Sequence, residues 1–206
     1  VLLMAPILMN SCGGDKSTSP KKGIESDNPL LAVWDTPFET PPFDKIKHEH
    51  YVPAFTQAID LAKADIDAIV NDNSAPDFAN TIGAFEHSGY LLSRVASVFF
   101  NLNSAETDDK MEKIAEEVTP LMTDYQNDIY LNEKLFARIK TVYDKKESLG
   151  LTGEQLRLLD KVYTAFVRSG ANLSEEGKEK FRQISKDLSL ISLKFGQNVL
   201  AETNAY

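Results

Sequence analysis

Residues 174–203 read SEEGKEKFRQISKDLSLISLKFGQNVLAET, and the fold class is clearest in this stretch. Its apolar side chains recur at steps of three and four, so a helix would carry one of them per turn on a single face. These side chains are Phe181, Ile184, Leu188, Ile191, Phe195 and Val199. Ser174 is a good N-cap, and the carboxylates of Glu175 and Glu176 suit the positive end of the helix dipole. A helix of this length spans roughly 45 Å, so it needs packing partners along its whole length.

The same periodicity continues upstream and predicts five shorter helices. They cover about residues 54–70, 80–101, 111–129, 135–149 and 153–168. The third should kink at Pro120, and Thr152 with Gln155 has the spacing of a capping box for the fifth. The sequence has no alternating run of useful length that would be typical of a strand. We therefore predict an all-α antiparallel array of about six helices with short loops.

Packing between these helices can be predicted at two places. Gly83 and Gly89 each cost the second helix roughly 1 kcal/mol of propensity, so we expect another helix to approach closely there. The helix that contains residues 159–166 should be the antiparallel neighbour of the long C-terminal helix and cover its first half. The far half should then lie exposed within this chain, at Phe195, Val199 and Leu200.

Residues 28–53 form an irregular N-terminal arm that is rich in proline. Proline lacks an amide donor and biases the preceding residue toward extended conformations. Trp34, Phe38 and Phe43 lie between the prolines, and we expect these aromatic side chains to hold the arm against the helices. A functional surface strip is the alternative.

The composition is that of a globular protein. The chain has 206 residues, of which 42% are hydrophobic and 26% charged, which is enough for one domain or one lobe of a larger protein. The formal net charge is -9, and acidic and basic residues are interspersed. Because nucleic-acid-binding domains usually display a basic stripe, we expect no nucleic-acid partner.

The first 27 residues predict targeting rather than folded structure. Residues 1–9 are apolar but too short to cross a bilayer, and they are typical of the core of a secretion signal. Asn10, Ser11 and Cys12 follow, and they resemble the end of a bacterial lipoprotein signal, in which the cysteine is lipidated. We therefore predict a signal peptide at residues 1–11, lipid attachment at Cys12, a flexible tether over residues 12–27 and a lipid-anchored location in the cell envelope. A buried apolar strand with a core cysteine is the alternative.

No residue pattern in the sequence builds an active site. His48 and His50 are two residues apart, whereas a zinc pair on a helix needs a spacing of four. His87 is alone on its helix, and the sequence contains no HEXXH motif. The acidic turn at Asp72 lacks the glycine and the glutamate of a calcium loop, and a nucleophile elbow and a phosphate loop are absent too. We therefore name no catalytic and no metal-ligating residue.

Several short strings, in a fixed order, resemble the family of zinc metallopeptidases that contains thimet oligopeptidase and the peptidyl-dipeptidases. They are NPLL at 28–31, PFDKI at 42–46, HYVPAF at 50–55, PDFANTI at 76–82, LN at 131–132 with LF at 135–136, and FVRSGANL at 166–173. The PDFANTI string departs from the family pattern at Asp77 and Ala79. The resemblance covers about residues 28–206, and the peptidyl-dipeptidase branch is the most similar.

The resemblance implies a mostly helical, two-lobed peptidase with a central channel that admits short peptides. Its zinc ion would be held by an HEXXH helix and a downstream glutamate in the C-terminal half of the family's proteins. Residues 28–206 would form the N-terminal lobe, which helps to wall the channel and supplies no zinc ligand. We expect the parent enzyme to remove C-terminal dipeptides from oligopeptides, and this stretch to be inactive alone. The alternative is a stand-alone helical lipoprotein that binds a peptide or protein partner without catalysis.

Overall fold

A computed structural model of the chain describes residues 23–206, and within this range it contains seven α-helices and no strand. The helices are α1 (His48–Val70), α2 (Ala84–His87), α3 (Tyr90–Ala105), α4 (Asp109–Tyr130), α5 (Glu133–Asp144), α6 (Gly153–Arg168) and α7 (Glu175–Ala205). Short 3-10 turns occur at Pro37–Glu39 and Lys146–Ser148, and a π-helical turn at Phe78–Gly83 precedes α2. The predicted all-α array, with its irregular N-terminal arm and long last helix, is confirmed.

Two predicted caps define the starts of α6 and α7. Oγ1 of Thr152 accepts a hydrogen bond from the amide of Gln155 at 3.3 Å, and Oε1 of Gln155 accepts one from the amide of Thr152 at 3.0 Å. Oγ of Ser174 accepts a hydrogen bond from the amide of Gly177 at 3.2 Å. Both caps satisfy amides that have no partner inside the helix, and both predictions are confirmed.

The first helix begins at His48, before Pro53 rather than after it. Nδ1 of His50 accepts a hydrogen bond from the amide of Lys47 at 3.1 Å, which closes the start of α1. Pro53 lies in the second turn, where its ring removes one intrahelical bond without ending the helix. The irregular arm is therefore shorter than predicted. In the same way α4 continues through Pro120, and the kink predicted there stays a prediction.

The prediction of one continuous helix over residues 80–101 is wrong, because the helix is interrupted at Gly89. This glycine has φ 65°, in the left-handed region that glycine adopts without strain, and its amide donates to Oδ2 of Asp65 at 3.0 Å. A Cβ at Gly89 would lie 3.4 Å from Cβ of Ala62 in α1, so the predicted close helix approach is confirmed here. The close helix approach predicted at Gly83 is wrong, because a Cβ there would meet only the carbonyl oxygen of Phe78, from the same turn, within 4 Å.

Two hydrophobic clusters fill the interior of the described region. The first joins α1, α3, α4 and the arm, and the rings of Phe55 and Phe99 meet edge to face in it at 5.6 Å. The second joins the ends of α1 and α4, the π-helical turn, α5 and α6, and it is centred on the fully buried Phe166. Because α1 and α4 contribute side chains to both clusters, these two helices connect them.

The arm is held by one of its three aromatic side chains. Nε1 of Trp34 donates to the carbonyl of Pro29 at 2.7 Å, and the guanidinium of Arg94 lies 4.3 Å from the centre of the Trp34 ring. By contrast, the side chains of Phe38 and Phe43 are 98% and 55% exposed. The aromatic anchoring of the arm is therefore confirmed for Trp34 and wrong for the two phenylalanines.

The predicted signal peptide at residues 1–11 and the lipid attachment at Cys12 lie outside the described residues, as does most of the tether over residues 12–27. At the end of that tether the amide of Ile24 donates to the carbonyl of Leu31 at 2.9 Å, and Ile24 packs against the first cluster. Over residues 23–206, no helix is both long enough and apolar enough to cross a membrane.

Candidate functional site

Each of the three histidines has a polar contact within the described region. Nε2 of His48 lies 3.3 Å from Oδ2 of Asp108, His50 caps α1, and Nδ1 of His87 lies 2.7 Å from the carbonyl oxygen of Gly83. Across residues 23–206, no three side chains of His, Cys, Asp or Glu lie together in a way that could hold a metal ion. The described residues therefore do not fit a zinc ion.

The side chain of Asp72, in the acidic turn, makes structural contacts. Its carboxylate accepts a hydrogen bond from the amide of Ser74 at 2.8 Å and lies 3.6 Å from Nη2 of Arg138. Hydrogen bonds from Ser74 lower the pKa of Asp72, and the positive charge of Arg138 adds to this effect. This carboxylate therefore orders the turn between α1 and the π-helical segment.

Two open grooves run along the sides of α3. One has a volume of about 610 Å³ and is lined in part by Trp34, Phe43 and Tyr90, and the other has a volume of about 540 Å³. Ser93, Ser97 and Asn101 line both grooves. These surfaces therefore offer aromatic and hydroxyl side chains for contact with a ligand.

The long helix α7 packs along α4 through its charged side. Nη1 of Arg182 lies 2.8 Å from Oδ1 of Asp128, and Nζ of Lys186 lies 2.9 Å from Oδ2 of Asp124. One turn earlier, Lys178 pairs at 2.6 Å with Glu133, at the start of α5. The basic residues recur every fourth position on α7, while their partners run backwards along the chain, so the two helices are antiparallel.

The prediction that α6 covers the first half of α7 is therefore wrong. The apolar face of α6, with Leu159, Val162 and Phe166, is already buried in the second cluster. The side of α7 that faces the body carries basic side chains, and the carboxylates that match them lie on α4 and at the start of α5. Basic residues at steps of four opposite acidic residues at steps of four and five form a sequence signal that could have identified this pairing.

Asp128 joins three helices. Besides Arg182 of α7, its carboxylate accepts a hydrogen bond from Nζ of Lys63 of α1 at 2.8 Å. Partial burial acts to raise the pKa of Asp128, but the hydrogen bonds and charges of Lys63 and Arg182 outweigh it and lower the pKa. The ionised carboxylate is thus the form that holds α1, α4 and α7 together.

A second ionic contact holds the start of α7. Nζ of Lys178 lies 2.6 Å from Glu133 and 2.8 Å from Glu175, and the lysine is buried. The hydrogen bond to Glu133, followed by that to Glu175, raises the pKa of Lys178. The same bond from Lys178 lowers the pKa of Glu133.

Most large apolar side chains of α7 point away from the body, whereas Leu193 packs against the first cluster. Five of them form a continuous line, which we call the outer stripe, with exposed fractions of 64% at Ile184, 59% at Leu188, 65% at Ile191, 70% at Phe195 and 49% at Val199. The predicted exposure of the far half is confirmed at Phe195, Val199 and Leu200. The predicted cover over the first half is wrong, since Ile184 and Leu188 are exposed as well.

The chain resembles curated peptidases over most of its length, although no profile of a known protein family matches it. The dipeptidyl carboxypeptidase of Salmonella typhimurium is 43% identical over 180 residues, which are 87% of this chain and 26% of that protein. The Escherichia coli protein of the same name is 40% identical over 174 residues, which are 84% of this chain and 26% of the relative. This chain is homologous to the dipeptidyl carboxypeptidases.

Oligopeptidase A of Escherichia coli is a more distant homologue, 28% identical over 176 residues, which are 85% of this chain and 25% of that protein. The family resemblance inferred from the short sequence strings is thus confirmed. The chain spans about a quarter of the length of these peptidase homologues.

Proposed function

We propose that this chain is the N-terminal helical part of a peptidase that acts on short peptides, and that it does not carry the catalytic residues. The observation that supports this most directly is the 43% identity to a dipeptidyl carboxypeptidase that is about four times as long as the matched region. By that homology the reaction of the parent protein is the release of dipeptides from the C-terminal ends of oligopeptides.

In this proposal the chain supplies a wall of the peptide channel, and the parent protein holds a zinc ion. The residues described here do not fit a zinc ion, and the sequence contains no HEXXH, so the zinc ligands belong to parts of the parent outside this chain. Zinc, when bound, would polarise the scissile carbonyl and activate water. The grooves beside α3 offer aromatic and hydroxyl side chains that suit contact with a peptide.

We also propose that the parent protein is anchored in the cell envelope by a lipid on Cys12. The support is the apolar run at residues 1–9 followed by Asn10, Ser11 and Cys12. Replacement of Cys12 by serine should move the protein from the membrane fraction to the soluble fraction. An unchanged membrane fraction in the Cys12→Ser variant would refute the anchor.

The proposal that the catalytic residues lie outside this chain can be tested with the 206-residue chain and its reading frame. The coding sequence downstream of Tyr206 should contain an in-frame HEXXH motif, and the purified 206-residue chain should release no dipeptide from a blocked oligopeptide at any zinc concentration. Zinc-dependent hydrolysis by this chain alone would contradict the proposal. A reading frame without the motif would favour a helical lipoprotein that binds a partner without catalysis.

A further inference from the structure

We propose that α7 is a salt-sensitive latch. Its start stays fixed to the body, and the remainder, residues 179–205, leaves α4 when the ionic strength rises. We call residues 179–205 the latch segment. Both sides of its contact with α4 lie within this chain, so this conformational change does not depend on peptidase activity.

The start of α7 is fixed to the body by contacts of different kinds. The amide of Ala171 donates to the carbonyl of Phe166 at 3.1 Å, which closes the turn after α6. Gly170 in this turn has φ 93°, and a Cβ there would lie 3.3 Å from Cδ2 of Leu131, so the turn packs against the end of α4. Lys178 is buried and pairs with two carboxylates. Because salt screens buried charges much less than exposed ones, this end should stay in place.

The latch segment has little apolar packing against the body. Of the 31 residues of α7, all of which lie within the described region, only Lys178 is buried. Phe181 and Leu193 are half-buried, and the other large apolar side chains of this helix are exposed. By contrast, α1 buries eight of its residues. Since burial of apolar area is the main favourable term in packing, ion pairs supply a large share of the attraction between the latch segment and α4.

These ion pairs are open to solvent. Arg182 pairs with Asp128 at 2.8 Å and Lys186 pairs with Asp124 at 2.9 Å, and each of the four side chains is at least 36% exposed. The range of electrostatic attraction between exposed charges falls from about 30 Å at 10 mM salt to about 3 Å at 1 M salt. The contact that holds the latch segment should therefore weaken over this range, while the two hydrophobic clusters stay closed.

Release from α4 should also loosen the helix of the latch segment. Most helical stability in proteins comes from the packing of one face against other elements. Gly196 weakens this helix further, because glycine loses more backbone entropy on folding than other residues. A Cβ at Gly196 would meet no atom within 4 Å, so close packing does not compensate for this loss. We therefore expect backbone amides of the released segment to exchange their hydrogens faster.

Hydrogen exchange of the 206-residue chain, followed by mass spectrometry, measures this release. The rates in 10 mM and 1 M NaCl are compared at one pH, with α1 as the internal reference. We expect amides of residues 187–201 to exchange at least about fivefold faster in 1 M NaCl, whereas those of residues 54–66 should change less than about twofold. Exchange of residues 187–201 that is independent of salt, whether slow or fast, would overturn the proposal.

Reversal of charges tests whether the ion pairs cause the salt dependence. Lys186→Glu sets a carboxylate opposite Asp124 and should raise the exchange rate in 10 mM NaCl to that of the unaltered chain in 1 M NaCl. Addition of Asp124→Lys restores opposite charges and should restore slow exchange. Lys180→Glu is the matched control, because Lys180 pairs with Glu176 on the same helix, and it should leave the rates unchanged. Equal acceleration by the two lysine variants, or fast exchange in the charge-reversed pair, would refute the latch.

Protein concentration separates the latch from self-association. The rates of residues 187–201 should be the same at high and low protein concentration. Slow exchange that disappears on dilution would overturn the proposal, since a second copy packed on the outer stripe would then hold the latch segment in place.

Discussion

Gly89 and Gly196 are two glycines in predicted helices, and their surroundings give them opposite roles. Gly89 has a left-handed conformation, and a Cβ there would lie 3.1 Å from the hydroxyl of Tyr125. Gly196 lies inside α7, where a Cβ would meet no atom within 4 Å. The sequence alone shows both as glycines in an apolar repeat. Only the packing of α2 and α3 on α1 distinguishes them.

The same substitution should therefore change stability in opposite directions at these two positions. Gly89→Ala should lower the free energy of unfolding by about 1–2 kcal/mol, because an L-residue is strained at this φ. Gly196→Ala should raise it by about 0.5–1 kcal/mol, because alanine loses less backbone entropy in a helix. Urea unfolding of the two variants of the 206-residue chain, followed by circular dichroism, measures both. Destabilisation of equal size at the two glycines would contradict the assigned conformations.

At the scale of elements, the contact between α4 and α7 is mainly ionic. The paired side chains are partly exposed, with 36% and 42% exposed for Arg182 and Asp128. Ion pairs in such positions are screened by water and salt, and each contributes at most about 1 kcal/mol. The ion pairs of the body therefore orient α7 but contribute little free energy each.

Asp128→Asn tests this ionic contact. The substitution keeps the shape of the side chain and removes the charge that Lys63 and Arg182 share. It should lower the free energy of unfolding by about 1 kcal/mol, since two partly exposed pairs are lost. Asp144→Asn is the matched control, because within residues 23–206 its carboxylate pairs with Lys140 alone, on the same helix, and it should cost about 0.3–0.5 kcal/mol. Equal effects of the two variants would show that Asp128 does not join helices.

The contribution of Asp128 should also depend on pH. Its pKa is lower in the folded than in the unfolded chain, so the unfolded state binds more protons as the pH falls. The stability that Asp128 supplies is therefore complete above the unfolded value of about 4 and is lost as the pH falls through the lowered folded pKa. The stability difference between the unaltered chain and Asp128→Asn should shrink between pH 5 and pH 2, which thermal unfolding measures. A constant difference over that range would contradict the assignment.

At the scale of the whole molecule, the sequence was sufficient to predict the helices and the family. Periodic apolar residues and caps such as Ser174 are local features, and they placed most helices correctly. Periodicity shows which residues share a face but not what covers that face, so it did not show that Ile184 and Leu188 are exposed. The break at Gly89 was missed for a related reason, since it depends on contacts with Asp65 and Ala62 in another helix.

No site was predicted within this chain, and the resemblance of short strings predicted only the family. The short strings at 28–31, 42–46 and 166–173 predicted the peptidase family, and the identity to dipeptidyl carboxypeptidases confirmed it. Sequence reasoning named no catalytic and no metal-ligating residue in this chain. The sequence reasoning did not show that α7 has an ionic side facing the body and an exposed apolar side. Ion pairs such as Arg182 with Asp128 join residues that are far apart in the sequence.

The most direct test of the account is the release of C-terminal dipeptides from an N-blocked oligopeptide by the product of the complete reading frame. We predict release that stops when a chelator removes zinc and returns when zinc is restored, while the 206-residue chain releases nothing under the same conditions. No release by the complete product, or equal release by the 206-residue chain, would contradict it.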